Sequence, residues 1–355
     1  MTDKLNWGLF SKYRTELYGA ATIMIMIFHS QIAITLPGIL SYINKHFNYG
    51  VDIFLLLSGI CLYFSFSKNN DYGNFIKKRC ERTLIPYLII GFFYWVWRYI
   101  FAEFSILDFI YNASGLSLIL TKYENYLTLG EPLIWYVAFI MAMYLLYPLI
   151  YKVLYITAGK NRIAVFAALL VFSVGITLFL RSYASEAYNN TEVFITRIPV
   201  FLIGCYLGKA VKDKQKFRIC DYIMFFMFIP AKLFISFILK SNNLMLHRYL
   251  GFLGAFIICF VLVFILEAVS NIKFIIIPVK KVLGFFGSLS LEIYIIHVLL
   301  YNALLYYIPD IKSSDVFAYR EKAGIYLGIL IISTILGFIF NKVYNAILSK
   351  KKAVA

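Results

Sequence analysis

The feature that most constrains this chain is a succession of apolar runs, each about as long as a bilayer is thick. Crossing a hydrocarbon core takes about 20 mostly apolar residues in a helix. Ten runs fit: 17–36, 50–66, 83–102, 133–150, 163–180, 194–209, 221–239, 249–269, 284–302 and 323–347. Runs two and six are the shortest. The runs are continuous, whereas barrel strands alternate apolar and polar residues. Backbone polar groups in lipid must be satisfied within their own segment, so the runs read as helices. Composition agrees. Of 355 residues, 62% are hydrophobic and 15% charged, where a soluble domain is about half apolar and a quarter charged. The expected fold is all-α, a polytopic transmembrane bundle of about ten spans. It forms a single integral-membrane domain over 1–355 that ends in a basic tail at 348–355. No repeat or linker divides the chain, and the first run lacks the small-residue site of a cleavable signal peptide.

The formal net charge is +16, which on a soluble protein would suggest nucleic acid. Its distribution argues for a lipid bilayer instead. With the N-terminus placed in the cytosol, 22 of the 34 Lys and Arg fall in inside segments and 7 in outside ones. Lys and Arg mark cytosolic loops and attract anionic lipid. Both termini are therefore expected in the cytosol, and no nucleic-acid partner is expected. The longest outside loop, 103–132, carries Glu103, Asp108, Glu124 and Glu131. The five cysteines, Cys61, Cys80, Cys205, Cys220 and Cys259, have no metal-ligand spacing. They are expected as reduced thiols, and no metal site is expected.

Ionisable residues inside spans are costly and mark a cavity, a pathway or a partner. In span one, LYGAATIMIMIFHSQ carries His29. In span two, GVDIFLLLSGI carries Asp52 near the outer end and Ser58 near the middle. Arg197 opens TRIPVFLIGCYLG, and GSLSLEIYIIH holds Glu292 and His297; Lys232 and Glu267 add two more charges. At 1.5 Å per residue, His29 lies about 10 Å and His297 about 8 Å below the outer end of its span. Asp52 and Arg197 lie nearer the surface. Groups at related depth on different helices can form one site, or each can satisfy its own hydrogen bonds. Glu292 and His297 are five residues apart, about 140° around a helix, so they face different neighbours. At the inner surface, FIKKRCERTLIPYL places Lys77, Lys78, Arg79 and Arg82 before Pro86 and Tyr87. Arg79 and Arg82 project together on a helix. Paired guanidiniums suit phosphate, while an ordinary positive-inside anchor is the plainer alternative.

Taken in order, the His of span one, VDIFLLLSGI, RCERTLIPYL, IWYVAFIMAMYLLYP, RIPVFLIGCYLGK and GSLSLEIYIIH resemble the landmarks of the acyltransferase-3 family of integral membrane O-acyltransferases. The resemblance spans nearly the whole chain. It implies a ten-helix domain that takes acetyl from cytosolic acetyl-CoA and delivers it to hydroxyls of cell-surface polysaccharides or lipid-linked glycans in a bacterial plasma membrane. Acetyl-CoA is then a donor substrate, and no tightly bound cofactor is implied. By the same resemblance, His29 falls on the catalytic histidine. Arg79 and Arg82, with neighbouring Lys78, fall on the pair that handles CoA. Asp52 and Ser58 match the span-two motif, and Trp135, Arg197, Tyr294 and His297 match later landmarks; these four, with Ser58 and Arg14, are the expected substrate-binding residues. One departure stands out. The family arginine eleven residues before the histidine is replaced by Tyr18, and Arg14, one turn earlier, is the expected substitute.

Esterifying a hydroxyl needs a base and stabilisation of an oxyanion. A neutral imidazole suits the first role, so His29 is the expected base, with Asp52 or Glu292 as its orienter. Direct transfer and an acyl-histidine relay both remain open, as does the oligomeric state. The competing expectation is a transporter or flippase of a lipid-linked sugar or small anion. It would share the spans and basic inner face, but it would need no CoA and often shows repeated halves.

Overall fold

The computed structural model describes residues 5–29, 43–44, 46–68, 70–101, 105–107, 110, 135–223, 230, 244–307 and 319–354. Among these residues the structure is helical, apart from one isolated bridge between Asn6 and Lys216. After a turn of helix at Leu9–Lys12 come α1 (Arg14–His29), α2 (Tyr49–Phe66), α3 (Tyr72–Phe101) and α4 (Trp135–Thr157). They are followed by α5 (Arg162–Tyr183), α6 (Ser185–Ile195), α7 (Ile198–Lys212), α8 (Leu244–Ala268), α9 (Lys273–Ser288), α10 (Ser290–Tyr307) and α11 (Tyr319–Val354). Helix α11 runs on through most of the expected basic tail.

Among the described residues, six helical stretches are long and apolar enough to cross a membrane, or seven if α9 and α10, broken at Leu289, count as one span. The six are α2, α3, α4, α5 with its preceding turn, α6 and α7 together, and α11. These match six of the ten expected runs. The first run continues from α1 past the described residues, and the seventh lies almost wholly outside them, as does most of the 103–132 loop. The eighth is represented by Leu253–Ala268 of α8, which is apolar but short. The protein is a helical multi-pass membrane protein.

The chain divides into two compact units. One comprises Met1–Ala21, Asn48–Ile76 and Met143–Ser288; the other comprises Thr22–Phe47, Lys77–Ala142 and Leu289–Ala355. In the first, α2 is buried along almost its whole length. It can be enclosed because its neighbour comes close. A Cβ on Gly59 would lie 2.5 Å from the Phe201 carbonyl oxygen, and Gly204 sits as tightly against Leu56. Small residues let backbones meet, and such packing, rather than hydrophobic exclusion, holds helices together in lipid. Trp7 closes one end of this unit, edge-on to Phe217 and Phe260 at 5.1 and 5.4 Å. The break between α6 and α7 follows from Pro199, which has no N–H to offer the preceding turn.

In the second unit, α10 packs against α11 and α3. Buried Tyr301 and Tyr326 meet edge-to-face at 6.2 Å over Ile329, with Leu300, Leu304 and Leu330 around them. The five cysteines form no disulfide in the structure.

Candidate active site

The second unit holds His29 on the last turn of α1. That turn is tied down by the Tyr326 hydroxyl of α11, which donates to the Met26 carbonyl. His29 is buried and His297, on α10, is fully enclosed. Their rings meet, with Nδ1 of His29 2.8 Å from Nε2 of His297. Nδ1 of His297 is in turn 2.8 Å from the Ile293 carbonyl oxygen. Nε2 of His29 makes no hydrogen bond among the described residues. The orienting contact on His29 therefore comes from His297, where the sequence suggests Asp52 or Glu292. Glu292 instead accepts a hydrogen bond from Asn341 Nδ2 at 2.7 Å. That agrees with the five-residue spacing, which turns Glu292 and His297 toward different helices. A line of rings continues from the pair. Tyr294 lies edge-on to His297 at 6.0 Å, Tyr136 to Tyr294 at 5.5 Å, and Trp135 to Tyr136 at 6.2 Å. Trp135 and Tyr294, both expected near the acceptor, are thus joined to the histidines through packed aromatics.

The basic run lies on α3. Lys77, Lys78 and Arg82 are exposed and Arg79 is half-buried. Between Arg79 and Arg82 the helix widens into a π-turn at Cys80–Leu84, in which the Ile85 N–H bonds the Cys80 carbonyl. A π-turn carries i to i+5 hydrogen bonds and is often found at functional sites. It also spreads side chains three apart wider than an α-helix does, which fits the unequal exposure of the two arginines. In this register the next donor would be Pro86, which has no N–H. The Glu81 carbonyl it leaves is taken by the Tyr344 hydroxyl of α11 at 2.6 Å.

The first unit holds the other candidates. Arg197, placed at the α6–α7 break, pairs with Asp52 at 3.2 Å, with both side chains at least 92% buried. Glycine at 251 makes room for the carboxylate, since a Cβ there would stand 2.6 Å from an Asp52 oxygen. Arg248 pairs with Glu192 at 3.0 Å. Glu267 takes Lys12 and a hydrogen bond from the Tyr13 hydroxyl at 2.7 Å. Burial, then the hydrogen bond to Glu267, raises the Tyr13 phenol above the ordinary tyrosine value. Ser58 is buried within α2. Tyr18 stacks on Phe54 at 5.6 Å, while the Arg14 guanidinium lies 4.0 Å from the Cys61 sulfur, two turns along α2. Arg14 and Tyr18 thus address different levels of that helix. Lys232 lies outside the described residues. Among those residues no cluster of His, Cys, Asp or Glu could hold a metal ion.

Some partners in these contacts escape a reading of the sequence. Asn341 carried a signal, being an amide inside an apolar run. Tyr326 and Tyr344 carried none, because the chain has 29 tyrosines. Glu192 and Arg248 fall at run edges, where charge is unremarkable.

The model of the acyltransferase-3 family, described as an acyltransferase domain, matches residues 19–342. The chain belongs to this family. No curated protein and no solved structure matches it. The match covers His29, the Arg79–Arg82 turn, the Asp52–Arg197 pair and His297, so every landmark except Arg14 and Tyr18 falls inside the acyltransferase-3 region. The protein is accordingly a membrane acyltransferase.

Proposed function

We propose that this acyltransferase moves an acetyl group from cytosolic acetyl-CoA to a hydroxyl of a cell-surface polysaccharide or lipid-linked glycan, in a bacterial plasma membrane with both termini in the cytosol. The observation that carries the reading is His29. It is a buried imidazole in an acyltransferase, with one nitrogen engaged by the protein and the other left for a substrate. As general base, its Nε2 takes the proton of the acceptor hydroxyl while that oxygen attacks the thioester carbonyl. The tetrahedral oxyanion then collapses, the C–S bond breaks, and the proton passes to the departing CoA thiolate. Arg79 and Arg82, with Lys78, bind the phosphates of the donor, charge-assisted contacts to which a planar guanidinium is suited. Family membership favours this over the transporter expectation.

The test is to measure thermal stability and acetyl transfer on one preparation of His29→Ala, using labelled acetyl-CoA and a crude glycan fraction. General acid–base catalysis contributes about 10²- to 10⁴-fold, so a normally stable protein with transfer reduced by that factor is expected. Transfer at the wild-type rate removes His29 as the base.

A further inference from the structure

We infer that His297 is a positioning residue that locks His29 in the Nδ1–H tautomer, making Nε2 the nitrogen that meets the acceptor. The inference rests on the reading of His29 as base and follows from one asymmetric contact. The Ile293 carbonyl oxygen can only accept, so Nδ1 of His297, 2.8 Å away, carries a proton and donates it. In a neutral ring the other nitrogen, Nε2, is then a bare acceptor. That nitrogen faces Nδ1 of His29 at 2.8 Å. Nδ1 of His29 must therefore be the donor, and Nε2 of His29 is left with its lone pair. Hydrogen bonding at one ring nitrogen is what sets the state of the other.

The pair rests neutral because no carboxylate is hydrogen-bonded to either ring among the described residues. Glu292, the acid on the same helix, is occupied by Asn341. An imidazolium without a counter-charge in apolar surroundings is costly. During transfer the same chain disposes of the charge. When Nε2 of His29 gains the hydroxyl proton, the ring becomes an imidazolium whose Nδ1–H can move to Nε2 of His297. His29 is then neutral again and protonated on Nε2. The positive charge sits on His297, whose Nδ1–H still bonds the Ile293 carbonyl. Return of the proton to Nδ1 as Nε2 protonates the leaving thiolate restores the starting state. Tyr294 stands beside the pair, its ring centroid 6.0 Å from that of His297 and the two planes 67° apart. An acyl-histidine relay would use the same nitrogen, since Nε2 is the free nucleophile in this tautomer.

The chain contains four histidines. In a His46→Gln/His247→Gln background, nitrogen-15 labelling of histidine in the full-length protein in nanodiscs therefore reports on this pair alone. At neutral pH both rings are expected as Nδ1–H tautomers. A His29 protonated on Nε2 overturns the inference whatever the activity. Activity supplies the second arm, measured with labelled acetyl-CoA and the crude glycan fraction. In His297→Gln the side-chain oxygen can accept from His29 and the amide can donate to Ile293. His297→Leu can do neither. The leucine variant should lose about 10²- to 10⁴-fold in rate at saturating acetyl-CoA with its half-saturation concentration unchanged, and glutamine should recover at least about tenfold of that loss. A leucine variant with the wild-type rate per folded molecule overturns the inference. An active His29→Ala protein, by contrast, removes the reading of His29 as base and leaves the tautomer measurement standing.

Discussion

Inside the first unit, two buried acids meet opposite charges: Asp52 with Arg197, and Glu192 with Arg248. In the second unit, three buried groups meet neutral partners. His29 meets His297, His297 meets a backbone carbonyl, and Glu292 meets Asn341. The two arrangements have different consequences. An ion pair satisfies both members against each other, and breaking it strands a charge. A chain of imidazoles running to a carbonyl is satisfied at one end only, so its far end keeps a lone pair. On the proposed reading, the first unit spends its polar groups on holding helices together, while the second keeps one in reserve for chemistry.

The sharpest way to break this contrast is at Asp52. Removing one member of a buried pair costs about 3–5 kcal/mol, whereas replacing both by apolar residues of similar volume is often neutral. Asp52→Ala should therefore lower thermal stability severely. Asp52→Leu combined with Arg197→Met should restore most of it, with transfer per folded molecule close to wild type. If the double variant is stable yet as inactive as His29→Ala, the pair belongs to the chemistry and the division between the units fails.

The next largest effect is at the inner arginines. Replacing Arg82 by Ala removes a charge-assisted contact of about 1.5–3 kcal/mol, a roughly 10- to 150-fold weaker apparent affinity for acetyl-CoA. Because Arg82 is exposed, its thermal stability should not change. Half-buried Arg79 should show the affinity loss together with some destabilisation. Lysine at 82 should be only partly effective, because an ammonium lacks the fork geometry. Unchanged donor dependence in Arg82→Ala would return the run to an ordinary membrane anchor.

Much of this was legible in the sequence, and what was not has a physical cause. The apolar runs identify the helices because a bilayer fixes their length, and six spans stand where the runs place them. The five-residue spacing of Glu292 and His297 separates them onto two neighbours because helical geometry is local. Pairing is not local. His29 and His297 are 268 residues apart, and nothing along the chain says that an imidazole rather than Asp52 or Glu292 would stand against His29. Depth in the membrane put all four groups at similar levels but could not say which helix stands beside which. The widened turn between Arg79 and Arg82 was equally hidden. Its cause, a proline four residues past the second arginine and a tyrosine hydroxyl from α11, joins one local signal to one distant partner.

That turn provides the smallest and most specific effect. Pro86 cannot donate to the Glu81 carbonyl, and Tyr344 does so instead. Tyr344→Phe removes that donor and should cost about 1 kcal/mol, the usual net worth of one hydrogen bond. Pro86→Ala supplies the missing N–H, so the same tyrosine change in that background should cost less. The two positions should therefore couple by at least about 0.5 kcal/mol, the lower range for residues sharing one interaction. Thermal unfolding of the four proteins of the cycle reads this directly. The affinity for acetyl-CoA should follow, because an N–H at position 86 lets the turn return to the α register, in which Ile85 donates to the Glu81 carbonyl and residue 86 to the Arg82 carbonyl, and this brings Arg79 and Arg82 closer on one face. Strict additivity in stability would mean that the hydroxyl is not what holds the carbonyl. Coupled stability with unchanged donor affinity would mean that the π-turn shapes the helix without shaping the phosphate site.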